Sequence, residues 1–298
     1  MAKTNGSVLT TKTARHILDR YRITKGHGFK LKHHDTADTG GIPLDHHDGV
    51  TLLAEGVERL TELQALFYAD GRHAMLCCLQ AMDTAGKDGT IKHVMSGVNP
   101  QGVRITSFKA PGPHERVHDF LWRINAALPA LGQIGIFNRS QYEDVLVVRV
   151  HPDLLPRNDK PGQKFWERRL AAIAAFEDRL TREGTVVLKF FLHLSRAEQK
   201  RRLIARLDDP AKHWKFSTAD IAERTYWDDY QHAYQEAIAA TAAPRAPWFV
   251  VPADNKWFAR LVVVSALIEA LEKLDLRLPQ PDLSGIASAR EALVAEED

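Results

Sequence analysis

Apolar positions along the chain keep two rhythms in turn. Between Val50 and Asp70, Leu53, Val57, Leu60, Leu63, Leu66 and Phe67 recur at the spacing of one buried helix face. Gly71 then offers the left-handed residue that closes such a helix. Ala74 to Gln80 is an unbroken apolar run, the pattern of a buried strand. Val103 to Phe108 alternates, and Gly135 to Phe137 is short and apolar. Thr185 to Leu194, rich in Val and Phe, is the strongest strand candidate, and Trp248 to Pro252 is the last. Helical spacing fills the intervals: the segment after Lys87, His114 to Leu128, Phe165 to Arg182, Ser195 to Asp209, Ser217 to about Ala240, and Asn255 to Leu276. Ser195 with Glu198, and Ser217 with Asp220, read as helix starts. Strands alternating with helices predict a parallel sheet covered on both faces, with its site at the carboxyl ends of the strands. Residues 1 to about 50 read as an arm, and the tail from Pro279 reads as surface-lying.

Candidate chemistry starts at the end of the first strand. Met82-Asp83-Thr84-Ala85-Gly86-Lys87-Asp88-Gly89-Thr90 places a glycine loop with a lysine between a strand and a helix. That is the layout of a phosphate cradle, in which backbone amides and a lysine face an anion. The match to the usual P-loop string is imperfect. Ala81 stands where the first glycine is expected, and Asp88 stands where a Ser or Thr would lend a hydroxyl to magnesium. Asp83 is the oxygen donor that can serve a metal instead. The short strand Gly135 to Phe137 ends in Asn138-Arg139-Ser140, with Glu143 beyond; an acidic residue is usual there, and the amide brings an oxygen without charge. Lys200, Arg201, Arg202 and Arg206 lie on the helix after Ser195, followed by His213-Trp214-Lys215-Phe216. Alone, that cluster is a solvated basic face; its place late in the chain fits a lid.

Composition narrows the classes. The chain has 298 residues and a formal net charge of +2, so no global field argues for nucleic acid. Adjacent Cys77 and Cys78 must point to opposite faces of a strand, which disfavours a disulfide and suits a reduced, cytoplasmic protein. No signal-like run opens the chain, and the most apolar helix candidate, Leu261 to Leu274, carries Glu269 and Glu272 and is too short to span a bilayer. His33-His34 and His46-His47-Asp48 match no standard zinc spacing.

The motifs together resemble the polyphosphate kinase 2 family. The resemblance rests on Met82 to Lys92, His118-Asp119-Phe120-Leu121-Trp122-Arg123, Phe137-Asn138-Arg139-Ser140, Lys212 to Phe216, Arg224 to Tyr230, Ala246-Pro247-Trp248 and Pro252-Ala253-Asp254, in that order. It implies an α/β fold, P-loop kinase-like, with three α/β/α layers, a central parallel sheet and a helical lid at about 195–217. The phosphotransferase domain would cover 51–278, between the arm and a tail at 279–298. The implied activity is transfer of the terminal phosphoryl group of inorganic polyphosphate to nucleotides. Asn138 followed by Glu143 resembles the branch (class III) that accepts both AMP and ADP. By the same resemblance, Asp83 and Asn138 would hold Mg²⁺, directly or through water. Lys87, Gly86, Asp88, Gly89, Thr90 and Lys92 would bind phosphate, as would Arg202, Arg206 and Lys215 from the lid. Asn138, Arg139 and Glu143 would join Asp83 and Lys87 in catalysis, and Lys109 and Arg123 would bind the nucleotide. A cytoplasmic homo-oligomer, dimer or tetramer, is implied, with no nucleic acid or membrane partner.

Two other readings remain. An ATP-dependent nucleoside monophosphate kinase would share the loop and lid but need a donor adenine pocket. A GTPase-like switch would need a guanine-reading Asn-Lys-x-Asp, and Asn255-Lys256-Trp257-Phe258 lacks the aspartate.

Overall fold

The computed structural model describes residues 17–41, 46–155, 161–280 and 284–296. Six strands form one sheet in the order β1-β6-β5-β2-β4-β3. They are β1 (Arg22–Ile23), β2 (Ala74–Ala81), β3 (Val103–Ser107), β4 (Ile134–Asn138), β5 (Thr185–His193) and β6 (Trp248–Pro252). All neighbours run parallel except β1, which lies antiparallel on β6. The expected parallel sheet is therefore present, with an antiparallel edge supplied by the arm. Residues 1–16 and 42–45 of the arm lie outside the described residues, as does the side chain of His46.

Register fixes the site. Leu79 pairs with Asn138, and Ala81 with Leu192, so β2, β4 and β5 all end at one rim. β2 is central and buried on both faces, as its continuous apolar run requires. Cys77 joins the core beneath α1 (His46–Asp70), α2 (Lys87–Val94) and α6 (Lys256–Glu272). Cys78 joins the opposite core, beneath α3 (Gln163–Arg182). α5 (Trp227–Thr241) completes that second layer, packing on α3. Both thiols are free, and burial pushes Cys78 up to about 12. Fully buried Phe190, Phe249, Leu60 and Leu261 each contribute about 1.5–3 kcal/mol of hydrophobic stabilisation.

Three helices differ from expectation. His114 to Leu128 is not continuous; it breaks into Pro113–Arg116 and Trp122–Ala126. Asp119 causes the break, its Oδ1 accepting from Leu121 N at 2.9 Å and offering the backbone a local alternative to the helix. The helix from Ser217 divides into Ala219–Glu223, a 3-10 turn at Arg224–Tyr226, and α5. α6 stops at Glu272, and Asp275 turns the chain with φ +40°. α4 (Arg196–Leu207) matches its start signal, Ser195 accepting from Glu198 N at 3.0 Å. No helix among the described residues is long and apolar enough to cross a membrane.

Candidate phosphoryl-transfer site

The loop at the end of β2 turns at two residues. Thr84 and Gly86 both have positive φ, +62° and +103°, which lifts the chain out of the sheet and feeds it into α2. Gly86 meets this at no steric cost, whereas a β-branched Thr is strained there. The α2 ladder opens with Thr90 N–H donating to Gly86 O at 2.8 Å, so the amides of residues 86–89 precede any helical acceptor. Lys87, the first residue of α2, folds back to donate from Nζ to Ala81 O at 3.0 Å. Burial, then Arg139, lowers its pKa, while Asp83, Glu143 and Asp88 pull the other way. Lys87 is thus half-buried at a helix start, one residue beyond the glycine loop with which the sequence pattern groups it.

β4 brings the second half. Asn138 Nδ2 donates to Asp88 Oδ1 at 2.7 Å, so the two polar residues that depart from the usual motif are partners. Arg139 also has positive φ, +64°, and its amide donates to Leu79 O at 3.1 Å. Its guanidinium bridges Glu143 at 3.1 Å and Asp83 at 3.5 Å. Burial opposes that charge, but Glu143 and Asp83 outweigh it and raise the Arg139 pKa. The buried amide of Gln80 satisfies both neighbours when its nitrogen faces Glu143 Oε1 at 2.9 Å and its oxygen faces Ser140 N at 3.1 Å. Beneath this lies an ion pair between β5 and α3: Lys189 donates to Glu177 Oε2 at 2.6 Å and to Thr241 O at 2.6 Å. Tyr142 and Gln141 both donate to Glu177 Oε1, which pins the segment that carries Glu143.

Cavities meet at these residues. One of about 680 Å³ lies over the loop, with Asp83, Lys87, Asn138, Arg139, Lys109 and Lys215 on its walls. A second, about 350 Å³, continues past Gly86 and Gly89 and is lined by Arg201, Arg202, Arg206, Lys212, Lys215, Lys256 and Arg260. Burial, then Arg202, lowers the pKa of both Lys256 and Arg260. Like charges crowd here, an arrangement that a bound anion would relieve. A third cavity, about 260 Å³, sets Phe108, Phe120 and Val148 against Arg123, Asp144 and Arg169.

A family model described as Polyphosphate kinase 2 matches residues 44–279. The chain belongs to the polyphosphate kinase 2 family. Among curated relatives, an ADP-polyphosphate phosphotransferase of Rhodopseudomonas palustris is 51% identical over 234 residues, covering 77% of this chain and 81% of that protein. An AMP/ADP-polyphosphate phosphotransferase of Meiothermus ruber is 45% identical over 279 residues, covering 94% of this chain and 100% of that protein. The crystal structure of Polyphosphate Kinase 2 from Arthrobacter aurescens TC1 superposes with a TM-score of 0.85 at 48% identity, covering 92% and 95% of the two chains. The mixed α/β architecture expected from the motifs is the family's fold.

Within this polyphosphate kinase 2 chain, Asp83, Gly86, Lys87, Asp88, Gly89, Asn138 and Arg139 share one cavity. Thr90 is buried behind them. Arg206 and Lys215 border both the loop cavity and the basic one. Lys109 and Arg123 line the mixed cavity, where Arg123 Nη1 donates to Lys109 O at 2.8 Å. Two expected phosphate contacts differ. Lys92 is exposed and lines neither phosphate-side cavity. Five residues beyond Lys87, it sits about 140° around the helix. Arg202 lines the basic cavity, but it is buried, and every one of its N–H groups is engaged by protein acceptors. Gln80, Gln199 and Lys189 belong to none of the motifs, and their partners lie on other elements.

Proposed function

We propose that the protein transfers the terminal phosphoryl group of inorganic polyphosphate to AMP and to ADP. The observation that carries this is the second cavity, continuous with the loop and lined by seven cations and by small residues, with no aromatic ring among its described residues. Such a channel suits a chain of phosphates and offers a donor base nothing to stack on. The names of the Rhodopseudomonas palustris and Meiothermus ruber relatives support polyphosphate as one substrate and ADP or AMP/ADP as the other. The 260 Å³ cavity supports the acceptor side, with apolar walls for a base and Lys109 and Arg123 for its phosphates.

The reaction needs one bond made and one broken. An oxygen of the acceptor's terminal phosphate attacks the end phosphorus of polyphosphate. The anhydride bond to the next phosphate breaks, and a polyphosphate shorter by one unit leaves. Little covalent work falls to the protein, so positioning and charge neutralisation carry the rate. The amides of residues 86–89 and Lys87 hold the chain end. Arg139, between Asp83 and Glu143, stands where charge develops. Asp83 and Asn138 offer a carboxylate and an amide oxygen, because the Asn138 nitrogen is turned to Asp88. Those hard oxygen donors fit Mg²⁺, held directly or through water. When bound, Mg²⁺ supplies neutralisation of the phosphate oxygens. In this reading the enzyme works in the cytoplasm as a homo-oligomer, which its buried, reduced cysteines suit.

The test compares donors: purified protein with Mg²⁺ and AMP, given either long-chain polyphosphate or ATP. Phosphorylation of AMP from polyphosphate, faster than from ATP, is expected. A preference for ATP would make the protein a nucleoside monophosphate kinase.

A further inference from the structure

Three successive carbonyls of the phosphate loop are turned toward one helix. Gln199 Nε2 donates to Asp83 O at 3.1 Å. Arg202, about one turn further along α4, donates from Nη1 to Thr84 O at 3.2 Å and to Ala85 O at 3.0 Å. Its other donors are also occupied. Nε meets Glu198 Oε1 at 2.7 Å, and Nη2 meets Ala253 O at 2.6 Å and Asp254 O at 3.0 Å. A guanidinium has five N–H donors, and all five are engaged here. The loop does not hold its own shape: Thr84 has φ +62°, and its hydroxyl is buried without a partner. Strain of this kind costs on the order of 1–3 kcal/mol and persists only where the surroundings enforce it.

We propose that Arg202, helped by Gln199, is a positioning residue of the transfer site, one that holds loop carbonyls back so that the loop amides face polyphosphate. The proposal rests on the polyphosphate reading of the site. Its physical basis is simple: a carbonyl oxygen aimed at a polyanion repels it, while an amide attracts it, and a peptide that turns one away presents the other. A planar fork reaches two peptide oxygens on the loop and two after β6 at once; a lysine ammonium has three donors from a single point. The same network reaches the arm. Asp254 Oδ1 accepts from Ser195 N, the cap of α4, at 2.8 Å, and its Oδ2 accepts from Thr36 Oγ1 at 2.8 Å. Loop and lid base therefore meet at one guanidinium, and Asp254 links it to the arm.

The experiment uses the full chain with Arg202→Lys and Arg202→Met. It reads kcat and KM for long-chain polyphosphate, together with hydrogen exchange of the peptide spanning 82–91. Both variants are expected to lose about tenfold or more in kcat, with KM nearly unchanged. Exchange should rise at 82–91 while β5 stays protected. The lysine variant keeps the charge and still fails, because charge is not what the site uses. The proposal is overturned if Arg202→Lys keeps wild-type kcat, or if Arg202→Met raises KM for polyphosphate while loop exchange stays unchanged. Should Arg202→Met unfold, exposing β5, the lysine variant decides. Should wild-type protein fail to use polyphosphate at all, the substrate reading falls, and loop exchange in the lysine variant still decides whether Arg202 braces the loop.

Discussion

Asn138 Nδ2 donates to Asp88 Oδ1 at 2.7 Å, tying the end of β4 to the first turn of α2. The polar departure in the phosphate loop, Asp88, and the one at the end of β4, Asn138, are therefore one feature. An Asp at 138 would oppose the Asp88 carboxylate where an amide now donates, and two carboxylates at that distance repel or share a proton. Asn138→Asp should consequently lower kcat/KM, and for AMP by at least about tenfold more than for ADP. AMP must bring a phosphate one unit shorter to the same point, which leaves less room for a second fixed charge. Measuring kcat/KM for both acceptors, at saturating polyphosphate and fixed free Mg²⁺, checks this. An equal fall for the two would detach acceptor choice from Asn138.

Lys87→Ala should reduce kcat by about 10²–10³, the usual cost of one preorganised donor at developing charge. Circular dichroism should remain native, since Lys87 makes one hydrogen bond to the protein, to Ala81 O. Activity within a few-fold of wild type would show that the loop is not the phosphate cradle.

Arg206 and Lys215 border both phosphate-side cavities. Replacing both with Ala should raise KM for polyphosphate and flatten its dependence on salt, by about one unit of slope per lost contact by analogy with nucleic acid. Kinetics across a range of ionic strength give the slope directly. A slope identical to wild type would make this lid face merely solvated.

Much of the site could be read from residue order. β2, its loop and the end of β4 are local patterns, and a buried parallel strand leaves a plain apolar signature. What could not be read depends on distant partners. β1 is two residues long and polar at Arg22, and it forms because Arg22 finds Glu269 on α6. Asp119 breaks a helix that its neighbours favour. Arg202 looks like any other cation of a basic helix until the carbonyls of residues 84, 85, 253 and 254 are placed around it. Lys189 sits unannounced in the strongest strand of the chain and is fully buried.

That lysine makes a stability prediction. Lys189→Met leaves Glu177 buried without its counter-charge and should cost about 3–5 kcal/mol. The double variant Lys189→Met/Glu177→Gln should recover most of the loss. Urea midpoints of wild type, single and double variants provide the comparison. A double variant no more stable than the single would mean that Tyr142 and Gln141 depend on the carboxylate itself.

His193, at the end of β5, supplies the pH dependence. Burial, then His34, lowers its pKa from 6.5 to about 4, against the opposing pull of Asp254 and Asp35. The unfolded chain therefore binds a proton that the folded one refuses. Stability is undiminished above the unfolded value and declines as pH falls from 6.5 towards 4, by about 3 kcal/mol in all. His193→Phe should show a shallower decline in urea midpoint between pH 7 and pH 5.

The central claim is tested most directly by a time course with AMP as the sole nucleotide, long-chain polyphosphate as the sole donor, and Mg²⁺ present. The account predicts that ADP appears first and ATP follows, each phosphoryl group gained matched by one lost from polyphosphate. ADP that forms from AMP but never proceeds to ATP, or AMP that stays untouched while added ADP is converted, would contradict the dual-acceptor site; no transfer to either would contradict the whole account.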